Sequence, residues 1–196
     1  MTSTPDPLQL AVIIGSTRSG RFGPTVANWF IEHAAQRPDV TIDLIDLVDT
    51  QLPPHLSNDP GEHGARALAE TGARLAGADA FVVVTPEYNH SYPAPLKNAI
   101  DWHFTQWQAK PVGFVSYGGL SGGLRAVEHL KQVFTELHAV TVRDTVSFHG
   151  AAQQFDALGQ PTNPAPSKAA ATKLLDQLVW FGEALRSARS ERPYVA

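Results

Sequence analysis

Leu8-Gln9-Leu10-Ala11-Val12-Ile13-Ile14 runs directly into Gly15-Ser16-Thr17-Arg18-Ser19-Gly20-Arg21-Phe22-Gly23-Pro24, and a helical pattern over residues 25–36 follows, with Val26, Trp29 and Phe30 apolar. An apolar run closed by glycine suits a strand buried on both faces, because a strand with one wet face would alternate. The same form returns at residues 81–84 and 112–115. Between and after these runs lie helical patterns at 65–76, at 95–107 with Leu96, Ile100, Phe104 and Trp107 in step, and at 122–137. A weaker strand falls within 140–148, and a last helix near 167–189 carries Leu174, Leu178, Phe181 and Leu185 on one stripe. This βαβαβαβα alternation predicts an α/β sandwich, a parallel sheet covered by helices on both faces. Right-handed crossovers leave few topologies, and five strands in the order 2-1-3-4-5 is the one expected at this length.

The chain has 196 residues, 43% hydrophobic and 17% charged, which suits one domain over 1–196 that buries about 70% of its unfolded surface. Residues 1–7 read as a flexible tail without the charged-then-apolar form of a leader, and no apolar stretch is long enough to span a bilayer. A cytoplasmic protein off the membrane is expected. With no cysteine, disulfides, thiolate metal sites and a cysteine nucleophile are excluded, so redox chemistry would need a cofactor. The formal net charge of −4 and the lack of a basic cluster argue against nucleic acid as a partner. The histidines show no metal-ligand spacing: His33, His55 and His63 fall on helix ends or loops, while His90 and His103 are expected to be solvated or at the core edge. Trp102, Trp107 and Trp180 are expected in the core rather than at an interface.

In an open parallel sheet, ligands bind beyond the carboxyl ends of the strands, so the segments after the first, third and fourth strands carry the chemistry. The first gathers hydroxyls, glycine amides, Arg18 and Arg21 at a helix N-terminus, a seat for a phosphate dianion. It has the G-x-x-x-x-G spacing of a Walker loop at Gly15 and Gly20 but continues Arg21-Phe22 instead of Lys-Ser/Thr, and it lacks G-x-G-x-x-G. The second, Thr85-Pro86-Glu87-Tyr88-Asn89-His90-Ser91-Tyr92-Pro93, holds prolines that fix backbone groups to read a flat heteroaromatic ring, or that simply start the next helix. The third, Ser116-Tyr117-Gly118-Gly119-Leu120-Ser121-Gly122-Gly123, lets backbone approach a ligand closely, with the Tyr117 ring stacking on it or lying at its edge. Gly119-Leu120-Ser121-Gly122-Gly123 also fits G-x-S-x-G, with Asp144 and His149 following in hydrolase order. A serine hydrolase would, however, leave the arginine and proline loops unexplained and has no HGGG-type segment here.

At Gly15-Ser16-x-Arg18, at Pro86-Glu87-Tyr88-Asn89-x-Ser91-x-Pro93 with residues 96–102, and at Ser116-Tyr117-Gly118-Gly119 with Gly122-Gly123, the chain resembles the NADPH-dependent FMN reductase family, flavodoxin-like enzymes that include quinone and azo-dye reductases. The resemblance spans residues 10–137. It implies that Ser16, Arg18, Arg21, Phe22 and Gly23 hold the FMN phosphate, that Pro86, Glu87, Tyr88 and Asn89 hold the isoalloxazine and its N5 edge, and that Ser116, Tyr117, Gly118 and Gly119 line its remaining edge. It implies a homodimer or homotetramer, and a ping-pong cycle in which NADPH or NADH gives hydride to the flavin and a small-molecule acceptor then takes the electrons. No catalytic side chain is required, because the flavin carries the chemistry. Arg21 stands where members often have a smaller residue. A flavodoxin-type electron carrier is the alternative, although its phosphate loop would lack the arginines.

Overall fold

In the computed structural model, which describes residues 6–195, the elements follow in the order β1 (Leu8–Ile14), α1 (Gly23–Ala34), β2 (Val40–Asp46), α2 (Gly61–Gly77), β3 (Ala80–Pro86), α3 (Ala94–Asp101), a 3-10 turn (Thr105–Trp107), β4 (Pro111–Gly118), α4 (Leu124–Glu136), β5 (Val140–His149), α5 (Ala151–Gln154) and α6 (Pro164–Glu191). The five strands are parallel in the order β2-β1-β3-β4-β5, as the alternation requires. Most of the expected tail lies outside the described residues; Asp6 and Pro7, which lie within them, give their carbonyls to Arg186 of α6.

Strand parity sorts the core into two layers. Leu10, Val12, Val82, Val84 and Val115 face α1 and α6, where Trp29, Phe30, Leu174 and Leu178 meet them. Ala11, Ile13, Phe81, Val83 and Phe114 face the other way, onto Leu75, Ile100, Trp107, Leu130 and Phe134. Every residue of β3 is buried, which is why an unbroken apolar run marks it.

Several boundaries differ from the sequence reading for identifiable reasons. The helix expected over 95–107 stops at Asp101: His103 turns its Nδ1 onto the Ala99 carbonyl, Trp102 donates its ring N–H to the Pro53 carbonyl, and a 3-10 turn carries the chain onward. Trp107 still reaches the core, but Phe104 loses step and is 51% exposed. The helix expected from 122 starts at Leu124, because Gly122 and Gly123 take φ of 61° and 85°. α1 begins at Gly23, two residues early, with Pro24 tolerated in its first turn. Between β5 and α6 the chain forms the single turn α5 and a bridge between Phe155 and Pro161. Trp180, expected in the core, is 67% exposed on α6, and Trp102 is half-buried.

Candidate functional site

The connections leaving β1, β3 and β4 meet at the carboxyl edge of the sheet and bond to one another. Ser16, fully buried, shares a 2.6 Å hydrogen bond between its Oγ and the Tyr88 hydroxyl, which ties the first loop to the second. Glu87 ties the second to the third. Its Oε2 accepts from the Ser121 hydroxyl and, at 3.3 Å, from the Arg125 amide; its Oε1 accepts from the Arg125 guanidinium at 3.0 Å. Burial alone would raise the Glu87 carboxyl, but the Ser121 and Arg125 donors outweigh it and hold the group below the usual carboxylate range.

Each loop is also fixed internally. Asn89 and His90 have φ of 48° and 73°, and Tyr88 and Ser91 exchange backbone hydrogen bonds of 2.8 and 3.1 Å across them. This is a two-residue hairpin of the type that needs left-handed residues, which asparagine and histidine tolerate better than most. In the third loop the Gly122 carbonyl accepts from the hydroxyls of Ser116 at 2.8 Å and Ser147 at 2.9 Å, and the Gly119 carbonyl accepts from the Gly150 amide at 2.9 Å.

The two arginines of the first loop do different work. Arg21 donates to the Ser16 carbonyl at 2.8 Å and closes a bidentate pair on Asp46, at the end of β2, with the Nη2–Oδ2 contact at 2.6 Å. Asp46 accordingly raises the Arg21 pKa, chiefly through that hydrogen bond. Arg21 is therefore the brace of the loop and not one of its free cations. Arg18 is exposed, and among the described residues its guanidinium has no hydrogen-bond or ion-pair partner.

Three observations bear on whether FMN fits here. α1 has no side-chain cap at Phe22 and no acidic residue in its first turn, so its first amides are left for an external acceptor. Gly23 lets that helix start settle onto the ends of β1 and β4: a Cβ there would lie 2.9 Å from Ile14 Cγ2 and 3.0 Å from the Tyr117 hydroxyl oxygen. The Tyr117 hydroxyl is itself buried without a partner directly beneath the loop. Hydroxyls, an unpaired guanidinium and open helix amides form a donor set suited to a phosphate dianion.

Some expected ring contacts change. Tyr117 is 6% exposed, sits in the core layer under α1 and packs edge-on to Phe22 at 6.1 Å, so its ring neither stacks on a ligand nor borders one. Strand parity explains this, since Tyr117 still belongs to β4 and points to the α1 face. Burial, chiefly, raises its phenol pKa. The Ser116 hydroxyl is likewise turned inward, which leaves backbone at Ser116 and Tyr117, and Gly118 and Gly119 beyond them, along that edge. Phe22 packs on Phe155 at 5.2 Å as well.

The hydrolase triad is not assembled. Ser121 bonds Glu87, His149 Nδ1 faces the Leu120 carbonyl at 3.0 Å, and Asp144 bonds Gln177 and Arg143. The sequence reading passed over Asp46, Arg125 and the β2–α2 connection. That connection forms one wall of a cavity of about 340 Å³ shared with Thr17, Pro95 and Asn98. Its cluster of prolines was the available signal: the Pro53 carbonyl accepts from Asn98 at 2.8 Å and from Trp102 at 2.9 Å, which holds the wall still.

Glutamine at Glu87 keeps the size and removes the charge. It is expected to cost about 1–3 kcal/mol at pH 7, the worth of hydrogen bonds to a charged group. A depressed pKa contributes stability that is present above the unfolded value and is lost as pH falls through the folded one. The gap between wild type and Glu87→Gln in urea unfolding should thus shrink below about pH 4.5, the ordinary value. A gap constant down to pH 3 would contradict the clamp.

The profile of the NADPH-dependent FMN reductase family matches residues 8–153. An NAD(P)H-dependent FMN reductase of Schizosaccharomyces pombe is 40% identical over 122 residues, 59% of this chain and 60% of that protein. A quinone reductase of Escherichia coli K12 is 32% identical over 184 residues, 91% of this chain and 95% of its own. Among solved structures, a flavoenzyme NAD(P)H:(acceptor) oxidoreductase of Paracoccus denitrificans superposes with a TM-score of 0.73 at 25% identity, covering 90% of this chain and 98% of that one.

Proposed function

Because this chain belongs to the NADPH-dependent FMN reductase family, we propose that its three bonded loops hold FMN and that the protein oxidises NAD(P)H at the expense of a small acceptor of the quinone or azo class. FMN held there would supply the two-electron redox chemistry that links the nicotinamide to the acceptor. The observation that carries the reading is the uncapped start of α1 beside the free Arg18, with the Tyr117 hydroxyl beneath it.

The residues then divide the work. Arg18, the hydroxyls of the first loop and the Phe22–Gly23 backbone receive the phosphate; Arg21 shapes that loop through Asp46. Pro86 to Asn89 present backbone groups to the ring, and Glu87 sets their position through Ser121 and Arg125. Gly118 and Gly119 offer backbone to the other edge. Fixed dipoles of this kind stabilise charge as it develops on a reduced ring without moving to do so.

We place the protein in the cytoplasm as a homodimer or homotetramer. Among the described residues no helix is long and apolar enough to cross a membrane. Leu120, in the glycine loop after β4, is 89% exposed, and a second subunit would cover it.

Purified protein incubated with FMN and freed of excess ligand is expected to keep the flavin absorbance and to bleach on anaerobic NADPH addition; protein that retains no flavin would end the proposal. Steady NAD(P)H oxidation with a quinone and no protein partner separates this reading from an electron carrier. Arg18→Ala is expected to weaken FMN binding about tenfold or more while leaving thermal stability unchanged. Arg21→Ala should lower both. Equal FMN affinity in Arg18→Ala and wild type would show that Arg18 does not meet the phosphate.

A further inference from the structure

At the amino edge of the sheet, a full strand away from the flavin site, charge gathers a second time. Lys110, just before β4, is only 6% exposed. Its Nζ donates to the Leu75 carbonyl at 3.0 Å and the Ala76 carbonyl at 2.9 Å, at the C-terminal end of α2, and lies 5.5 Å from the centre of the Phe81 ring. Arg189 of α6 donates to the Ala109 carbonyl at 2.6 Å and to Asp79 Oδ1 at 3.3 Å; Arg186 reaches Asp79 Oδ2 at 3.2 Å. Asp79 thus pairs with both arginines of α6, Arg186 and Arg189.

Beside them opens a cavity of about 450 Å³ lined by Lys110, Arg189, Thr105, Gln106, Gln108 and Tyr194, with no acidic side chain in its wall. Capping of α2 accounts for two of the three Lys110 donors. It does not account for a second, half-buried cation in the wall of the same cavity. Burial first, and then the neighbouring Arg189, pull the Lys110 amine down to about 8, and burial likewise lowers Arg189. Asp79 is already taken by the two arginines, and among the described residues the Lys110 amine has no ion-pair partner, so a partly desolvated charge stands beside Arg189 without a carboxylate of its own.

We propose that this cavity is a binding site for a small oxyanion, a phosphate or a short carboxylate, gripped by Lys110 and Arg189 with Thr105, Gln106 and Gln108 as neutral hydrogen-bond partners. A carboxamide and hydroxyl wall can satisfy the remaining oxygens of such an ion whether it donates or accepts. β4 separates this site from the glycine loop by its eight residues, about 26 Å of extended chain, so a molecule here leaves the flavin loops free.

The test is calorimetric titration of the FMN-saturated protein, whose phosphate loop is already filled, with inorganic phosphate and separately with succinate at constant ionic strength. One saturable site per chain is expected for at least one of them, and the stronger binder identifies the source. Lys110→Met and Arg189→Gln should each weaken it about tenfold or more. The anion favours the charged amine, so binding should take up protons near pH 8 and weaken between pH 7 and pH 9 as the amine loses its proton. The charged groups facing that amine are Arg189 and Asp79. Should Lys110→Met fail to fold, Arg189→Gln carries the comparison. No saturable heat from either anion, or binding that Arg189→Gln retains in full, would overturn the site. If FMN itself did not bind, the same titration on the flavin-free protein would still be decided by these two variants.

Discussion

Alanine at Gly123 is expected to destabilise the protein by about 2–5 kcal/mol and to weaken FMN binding by more than about tenfold. Gly123 precedes α4 with φ of 85°, and a Cβ there would stand 2.8 Å from Ser116 Cβ, 3.0 Å from the Tyr117 nitrogen and 3.1 Å from the Tyr117 oxygen. Those last two atoms belong to β4, which is flanked by β3 and β5 and has little room to give way. The loop itself must move, and it carries Ser121 off Glu87 as it does so. Urea unfolding and fluorescence titration with FMN read the two effects. Near wild-type values in both would mean that the loop is looser than its hydrogen bonds imply.

Alanine at Trp107 should produce the opposite pattern, a large loss of stability with the flavin site spared. The indole is 1% exposed, lies 4.8 Å from the Phe81 ring and 5.4 Å from the Phe134 ring, and donates its N–H to the His103 carbonyl. Emptying such a position costs about 3–5 kcal/mol, or about 6–20 °C of melting temperature at this chain length. FMN affinity of the folded protein should stay within a few-fold of wild type, because the ring packs on Phe81 at the start of β3 and Phe134 at the end of α4, at the amino edge of the sheet. A melting temperature within 2 °C of wild type would show that the cavity collapses.

The contrast between these two positions follows how the sequence could be read. β1 and the central strands β3 and β4 are buried on both faces and announce themselves as apolar runs. β2 is an edge strand whose Thr41, Asp43 and Leu44 stand exposed or half-exposed, so no comparable run marks it. Asp46 lies on that unmarked strand, and without it Arg18 and Arg21 looked alike; the structure separates the free cation from the brace. Tyr117 was misjudged for a different reason. Its glycine neighbours suggested loop, whereas β4 extends through Gly118 and parity turns the ring inward. The proline loop was recognised through its composition, but its shape comes from Asn89 and His90 in left-handed backbone, a conformation that two non-glycine residues do not advertise. Pairings between loops, such as Ser16 with Tyr88 or Glu87 with Arg125, depend on which strands lie side by side and cannot be read along one chain.

The Glu87 clamp and the Arg21–Asp46 brace are made entirely by the chain's own side chains, so the loops acquire their shape when the protein folds. The conformational entropy of ordering them is met at that stage and is not charged again when a ligand arrives. Exchange of one flavin for another, or passage of successive acceptors over the site, then proceeds against a surface of constant form. The heat-capacity change on binding should accordingly reflect only the area the ligand covers, with no added contribution from folding of the protein around it.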